Sequence, residues 1–130
     1  MEKEKDRNGR KNPLHESFGY AFEGIFTGIK KERNMKIHCA VMILVIIAGI
    51  LFRLPAYKWC LCFILFGLIM ALELVNTAVE AVVDLVTEEK KPLAKIAKDT
   101  AAGAVLIAAI MAAVTGLILF VPEALEFLGY

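Results

Sequence analysis

Three long apolar runs, separated by short polar segments, constrain the fold of this 130-residue chain more than any other feature. Residues 101–121 contain no charge, residues 59–72 are entirely apolar, and residues 37–54 are interrupted near their end by Arg53. About 20 apolar residues in a helix that rises 1.5 Å per residue cross the hydrocarbon core of a bilayer. The runs therefore predict an all-α membrane protein with three transmembrane helices, at about 37–54, 59–86 (including an extension beyond the membrane) and 101–121.

A separate amphipathic pattern precedes the first apolar run. Apolar residues recur at spacings of three and four from Leu14 to Ile29, and charged residues crowd the end of that segment. This pattern is typical of a helix that lies along the membrane interface, although a soluble helix packed on the bundle has the same pattern. Residues 1–13 are mostly charged and polar and are predicted to be disordered. Residues 14–130 are predicted to form a single membrane-integral domain.

The distribution of positive charge predicts the orientation of the chain. Nine of the first 36 residues are Lys or Arg, and residues 87–100 add four. The turn after the first run has two, Arg53 and Lys58, and the C-terminal tail has none. Because Lys and Arg are enriched in cytoplasmic loops, the N-terminus and the second loop are predicted to be cytoplasmic. The first turn and the C-terminus are then expected outside.

The second apolar run ends in a polar stripe, because residues 73–84 read ELVNTAVEAVVD. At about 100° per residue, its five polar side chains fall on one helix face: Glu73, Asn76, Thr77, Glu80 and Asp84. Polar groups in a membrane helix are costly and usually line a functional cavity. Counted from Trp59 at the outer interface, Glu73 lies about 21 Å and Glu80 about 32 Å along the helix. Glu80 and Asp84 are also compatible with a simply solvated helix end.

The types of residue on this face favour phosphate chemistry. Glu80 and Asp84, with Glu32 approaching from the N-terminal segment, are hard oxygen ligands suited to Mg²⁺ held together with substrate phosphates. Lys98 adds a cation at the same membrane face, and the deeper Glu73 is a candidate general base. This arrangement suggests phosphoryl transfer to a lipid hydroxyl. A small proton-coupled transporter and a non-catalytic scaffold are the alternatives, because no Walker A, protein-kinase or Rossmann motif is present.

The segment 73–84 resembles the signature of the prokaryotic membrane-integral diacylglycerol kinase family, which includes the undecaprenol kinases of Gram-positive bacteria. The family pattern E-x-x-N-(S/T)-A-(I/V)-E-x-x-x-D is matched at every fixed position. The chain has further matches at Gly19-Tyr20, Gly24, Glu32-Arg33-Asn34 and Ala97-Lys98-Asp99. One departure is His15-Glu16, where the family often has a basic residue. The resemblance extends over roughly residues 17–121.

The resemblance implies a role for each matching residue. Glu73 would be the catalytic base, and Glu32 and Glu80 would hold the Mg²⁺ bound to ATP. The nucleotide-binding set would comprise six residues: Tyr20 near the adenosine, then Glu32, Asn76, Glu80, Lys98 and Asp99. Thr77 and Asp84 would be supporting residues.

The resemblance also implies the partners and the location of the chain. The family forms homotrimers in the bacterial inner (plasma) membrane, with a cytoplasmic active site, and no nucleic acid is expected. The stripe of Ala101, Ala108, Ala112 and Gly116 and the stripe of Ala102, Ala109 and Ala113 permit close helix packing. The segment 32–38, ERNMKIH, resembles the Gram-positive branch and favours undecaprenol as the acceptor, with diacylglycerol as the alternative.

The remaining notable residues are interpreted as structural. The three cysteines are expected to behave as small apolar residues without a disulfide. His15 and His38 have no evident partners in the sequence. Tyr57 and Trp59 are interpreted as interfacial anchors.

Overall fold

The computed structural model describes residues 13–130, which form four helices. They are α1 (Leu14–Lys31), α2 (Arg33–Leu51), α3 (Ala56–Val86) and α4 (Pro92–Phe127). The helices α2, α3 and α4 are long and apolar enough to cross a membrane. The predicted fold class, three membrane helices after a shorter N-terminal helix, is therefore confirmed. The predicted disordered segment falls almost entirely outside the described residues.

The helix α1 is amphipathic, and its apolar side chains are exposed along most of its length. Leu14, Phe18, Phe22 and Phe26 are each more than half exposed, as a helix resting on lipid requires. Contact with the bundle is made near the C-terminal end, where Gly28 is buried. The extended backbone of Glu32 then separates α1 from α2.

The first membrane helix ends at Leu51, three residues before the predicted boundary, because the chain turns sharply there. Arg53 has a φ of 54°, a left-handed conformation that is uncommon for a residue with a side chain. This conformation lets the N–H of Leu54 donate to the carbonyl oxygen of Gly49 at 2.9 Å. That bond is typical of a helix C-terminus, and Pro55 follows because it cannot continue the helix.

The helix α4 is longer than the apolar run that predicts it. It begins at Pro92 rather than near residue 101, because a proline in the first turn lacks only an N–H that has no helical partner. Pro122 was expected beyond the helix but lies inside it. Membrane helices tolerate an internal proline because neighbouring groups can satisfy the carbonyl that it leaves free. Residues 92–100 therefore project Lys98 and Asp99 on the same rigid element that crosses the membrane.

Among the three long helices, α3 is central. It packs most extensively against α4 and less extensively against α2. The α4 face that includes Val105, Ala108 and Leu119 is buried within the chain. One of the two predicted small-residue stripes, that of Ala108, therefore serves packing inside the chain. Between α2 and α3, a Cβ on Gly49 would come within 2.6 Å of the Trp59 ring. Trp59 thus packs against α2 as well as lying at a helix end.

An ion pair joins α3 and α4 at the end of the bundle that contains the α2–α3 turn, called here the Lys58 end. The Lys58 ammonium is buried and donates hydrogen bonds to Glu123 Oε1 and to the carbonyl oxygen of Leu119, the latter at 3.3 Å. Charged groups in a membrane helix are usually paired in this way. The sequence suggested no partner for Lys58, because Glu123 follows it by 65 residues.

Candidate active site

The opposite end of the bundle, called here the acidic end, contains the polar stripe of α3. Glu73 is 1% exposed and Asn76 is 6% exposed, so both are buried on an otherwise apolar helix. A buried carboxylate costs free energy unless it is paired or bound. Glu73 and Asn76, the first two fixed residues of the family motif, are therefore buried by the fold.

Hydrogen bonding orients Asn76 toward Glu80. The amide Nδ2 of Asn76 donates to Glu80 Oε1 at 3.0 Å, one helical turn away. Because a carboxylate oxygen accepts hydrogen bonds, this contact fixes which amide atom faces Glu80. It leaves Asn76 Oδ1 buried without a hydrogen-bond donor, and Glu73 Oε1 is in the same condition. Two buried acceptors with no donor lie about one turn apart.

Close packing between α1 and α3 brings Glu32 to the same end. A Cβ on Gly28 would lie 2.7 Å from Leu74 Cδ2 and 3.5 Å from Met35 Cε, so a larger residue here would require the Leu74 side chain to shift. The N–H of Glu32 donates to the carbonyl oxygen of Gly28 at 2.9 Å. The carboxylates of Glu32 and Glu80 are then near enough to Glu73 for mutual repulsion. The carboxylates of Glu32, Glu73 and Glu80 therefore lie near one another at the acidic end.

The start of α4 completes the acidic end with a cation. The Nζ of Lys98 donates to Asp84 Oδ1 at 2.6 Å, which joins α4 to the end of α3. Lys98 also lies within electrostatic range of Glu80. A polar cavity of about 640 Å³ opens between these helices, and its lining includes Asp84, Lys98 and Asp99. Asp99 itself pairs with Lys95 on the exposed surface of α4.

Two of the predicted site residues are not brought into this cluster. Tyr20 lies on the exposed part of α1, about 18 Å along the helix axis from Glu32. The hydroxyl of Thr77 donates to the backbone carbonyl oxygen of Glu73 at 3.0 Å. Thr77 therefore bonds its own helix, a common use of Thr in membrane helices.

The sequence interpretation missed His38, which was expected to have no partner. His38 begins the apolar part of α2, and its Nε2 lies 3.3 Å from Glu73 Oε1. This separation is within ion-pair distance, although the approach lacks hydrogen-bond geometry and Oε1 remains unsatisfied. The sequence did contain a signal for this contact, because a histidine at the start of a membrane helix lies at about the membrane depth predicted for Glu73.

An apolar groove of about 370 Å³ runs between α2, α3 and α4 and reaches this site. It is lined by Val41 and Met42 of α2, by Ile69 of α3 and by Ala112 and Gly116 of α4. His38 is also among its lining residues, whereas Glu73 is not, so the groove reaches the acidic end at His38, which contacts Glu73. Its other end is bounded by Leu119 and Phe120.

The donor atoms at the acidic end suit Mg²⁺ shared with a phosphate ligand. Across residues 13–130, no three His, Cys, Asp or Glu side chains converge closely enough to hold a metal ion by themselves. Mg²⁺ bound with ATP needs fewer protein ligands, because phosphate oxygens and water occupy the other positions. Carboxylates at Glu32 and Glu80 and the unsatisfied Asn76 Oδ1 are oxygen donors of the required kind.

The fold and the site define a class: a small multi-pass membrane protein that combines an apolar groove, a buried carboxylate and a cluster of charged side chains. The family model described as prokaryotic diacylglycerol kinase matches residues 19–120. The chain belongs to this family of lipid kinases, and the enzyme class predicted from segment 73–84 is confirmed.

Individual relatives support the same assignment. The chain is 42% identical to the undecaprenol kinase of Bacillus subtilis (strain 168) over 119 residues, which cover 92% of this chain and 97% of that protein. It is 44% identical over 113 residues to a diacylglycerol kinase of Synechocystis sp., covering 86% of this chain and 65% of that longer protein. It is 32% identical over 101 residues to the diacylglycerol kinase of Escherichia coli (strain K12), covering 78% of this chain and 83% of that protein.

The packing of Gly28 generates a prediction. Gly28→Ala should lower the thermal stability of the detergent-solubilised protein and raise the KM for Mg-ATP, because the added Cβ displaces the Leu74 side chain or shifts α1, and a shift of α1 moves Glu32. Overpacking typically costs about 1–3 kcal/mol, whereas Ala in an exposed helix is favoured over Gly by about 1 kcal/mol.

The double variant Gly28→Ala/Leu74→Ala should recover part of both losses, since it restores the space. Gly24→Ala is the matched control, because a Cβ there meets no atom within 4 Å. Equal effects at the two glycines, or no recovery in the double variant, would contradict the packing argument.

Proposed function

We propose that this protein transfers the γ-phosphate of ATP to the hydroxyl of undecaprenol and so makes undecaprenyl phosphate. The observation that carries the proposal is that the apolar groove ends at His38, whose Nε2 lies 3.3 Å from Oε1 of the buried Glu73. A lipid alcohol needs an apolar path for its chain and a base near its hydroxyl, and the groove-lining His38 contacts that base. The high coverage of the Bacillus subtilis undecaprenol kinase favours undecaprenol over diacylglycerol.

The residues of the acidic end have separate roles in the proposed reaction. Glu73 takes the proton of the lipid hydroxyl while the hydroxyl oxygen forms a bond to the γ-phosphorus of ATP. The bond from that phosphorus to the bridging oxygen breaks, its electron pair goes to the β-phosphate, and ADP leaves. Lys98 balances negative charge on the phosphates, and Asp84 positions Lys98 through their 2.6 Å contact. Asp99, which lines the polar cavity with Asp84 and Lys98, would help to position the nucleotide.

Mg²⁺ enters this proposal as part of Mg-ATP. Glu32 and Glu80 would hold it, and it would supply positive charge to the phosphate oxygens during transfer. Asn76 orients Glu80 through its 3.0 Å hydrogen bond. Tyr20, further along α1, would contact the adenosine.

We further propose that residues 14–130 act as one domain within a homotrimer in the bacterial inner membrane. Ala102 of the second small-residue stripe supports this assembly, because it is exposed on α4 and lies outside the apolar groove that Ala109 and Ala113 line. The Lys and Arg distribution supports a cytoplasmic acidic end, where ATP is available. Light scattering in detergent should give a particle of three chains, and a monodisperse monomer or dimer would refute the trimer.

The reaction is tested by transfer of labelled γ-phosphate from Mg-ATP in mixed micelles, with undecaprenol and diacylglycerol offered separately. We expect kcat/KM to favour undecaprenol by at least about tenfold, which corresponds to about 1.4 kcal/mol. A preference for diacylglycerol would keep the mechanism and change the acceptor. No transfer to either lipid by folded protein would refute the proposed function.

The site assignment is tested by two isosteric substitutions. Glu73→Gln should lower kcat by about 10²- to 10⁴-fold, the usual contribution of a general base, with little change in the KM for Mg-ATP. Glu80→Gln should instead raise that KM and the Mg²⁺ concentration needed for half-maximal rate. Glu126→Gln, at the Lys58 end, is the control and should keep wild-type kinetics. Full activity in a folded Glu73→Gln variant would remove the base from the mechanism.

A further inference from the structure

His38 lies on α2, beside Glu73 of α3 and at one end of the apolar groove. Its imidazole extends from the first turns of α2 toward α3, and its Nε2 is 3.3 Å from Glu73 Oε1. The side chain of Glu73 is 2% exposed and that of His38 is 20% exposed. Water is therefore largely excluded from the carboxylate, while the imidazole keeps limited contact with the surface.

Glu73 needs a partner of this kind. Its Oε1 is buried without a hydrogen bond, and a buried acceptor left unsatisfied costs free energy. The carboxylates of Glu32 and Glu80 lie close enough to repel a charge on Glu73, and the His38 imidazole is a polar group in contact with it. Since a carboxylate only accepts hydrogen bonds, the nitrogen that faces it must carry the proton for the contact to be favourable.

His38 also lines the acidic end of the apolar groove. His38 is thus the groove-lining residue whose side chain contacts Glu73, which does not itself line the groove. The orientation of the carboxylate at this point determines whether an oxygen faces the incoming hydroxyl. A general base must lie within hydrogen-bond reach of the proton that it removes.

We propose that His38 is a positioning residue for phosphoryl transfer, which holds the Glu73 carboxylate toward the acidic end of the groove through its Nε2. This inference rests on the proposed lipid kinase function. A displacement of about 1 Å in a reacting group can reduce a rate by about 10²-fold, so loss of this contact should reduce kcat. The binding of Mg-ATP should be unaffected, because His38 acts on the base and not on the phosphates.

Two substitutions separate the contact from the volume of the side chain. His38→Leu fills the space with an apolar side chain and removes Nε2. His38→Gln keeps an N–H donor near the position of Nε2. With whichever acceptor the wild type phosphorylates, His38→Leu should lower kcat by about tenfold to a hundredfold, with the KM for Mg-ATP within about twofold of wild type. His38→Gln should recover most of the lost kcat.

Each other result overturns the inference. If His38→Leu keeps the wild-type kcat, or if His38→Gln is as slow as His38→Leu, Nε2 does not position the base. A rise in the KM for Mg-ATP larger than the fall in kcat would assign His38 to the nucleotide. Should His38→Leu fail to fold, His38→Asn replaces it, since its amide is too short to reach Glu73. An inactive wild type refutes the proposed function together with this inference, whereas an active wild type with unchanged variants refutes this inference alone.

Discussion

The burial of the Glu73 carboxylate among apolar helices is the constraint on which the arrangement of the acidic end depends. The carboxylate sits where α3 leaves the apolar part of the bundle, with Asn76 and Glu80 on the turns that follow. Burial strengthens every electrostatic interaction at that point, because few water molecules screen it. A small change in the position of a neighbouring charge therefore has a large effect on the chemistry of the site.

The charged groups at the acidic end come from different parts of the chain. Gly28 lets α1 approach α3 closely enough to bring Glu32, and the continuous helix α4 brings Lys98 to Asp84. Each of these placements depends on packing that lies outside the site itself. The chain has few residues in its core, so the same helix contacts both stabilise the bundle and set the geometry of the charged groups.

The spans and the motif could be predicted from the sequence because each is encoded locally. Apolar runs near 20 residues have few folded states in a membrane, and the polar face of segment 73–84 follows from helical periodicity alone. The contact of His38 with Glu73 could not be predicted, because it depends on how α2 is rotated against α3. The continuation of α4 through Pro122 was missed for a different reason, since proline is a reliable helix terminator in water but not in lipid.

The ion pair at the Lys58 end has a consequence for biogenesis. Lys58 enters the membrane at the start of α3, while its partner Glu123 is synthesised 65 residues later. Until α4 is in place, the lysine must keep its ammonium at the water boundary by extending its flexible side chain. It can withdraw into the bundle once Glu123 arrives. The pair therefore links the final position of α3 to the insertion of α4. A bundle that lacks α4 keeps the Lys58 charge at its surface, and this distinguishes it from the complete bundle.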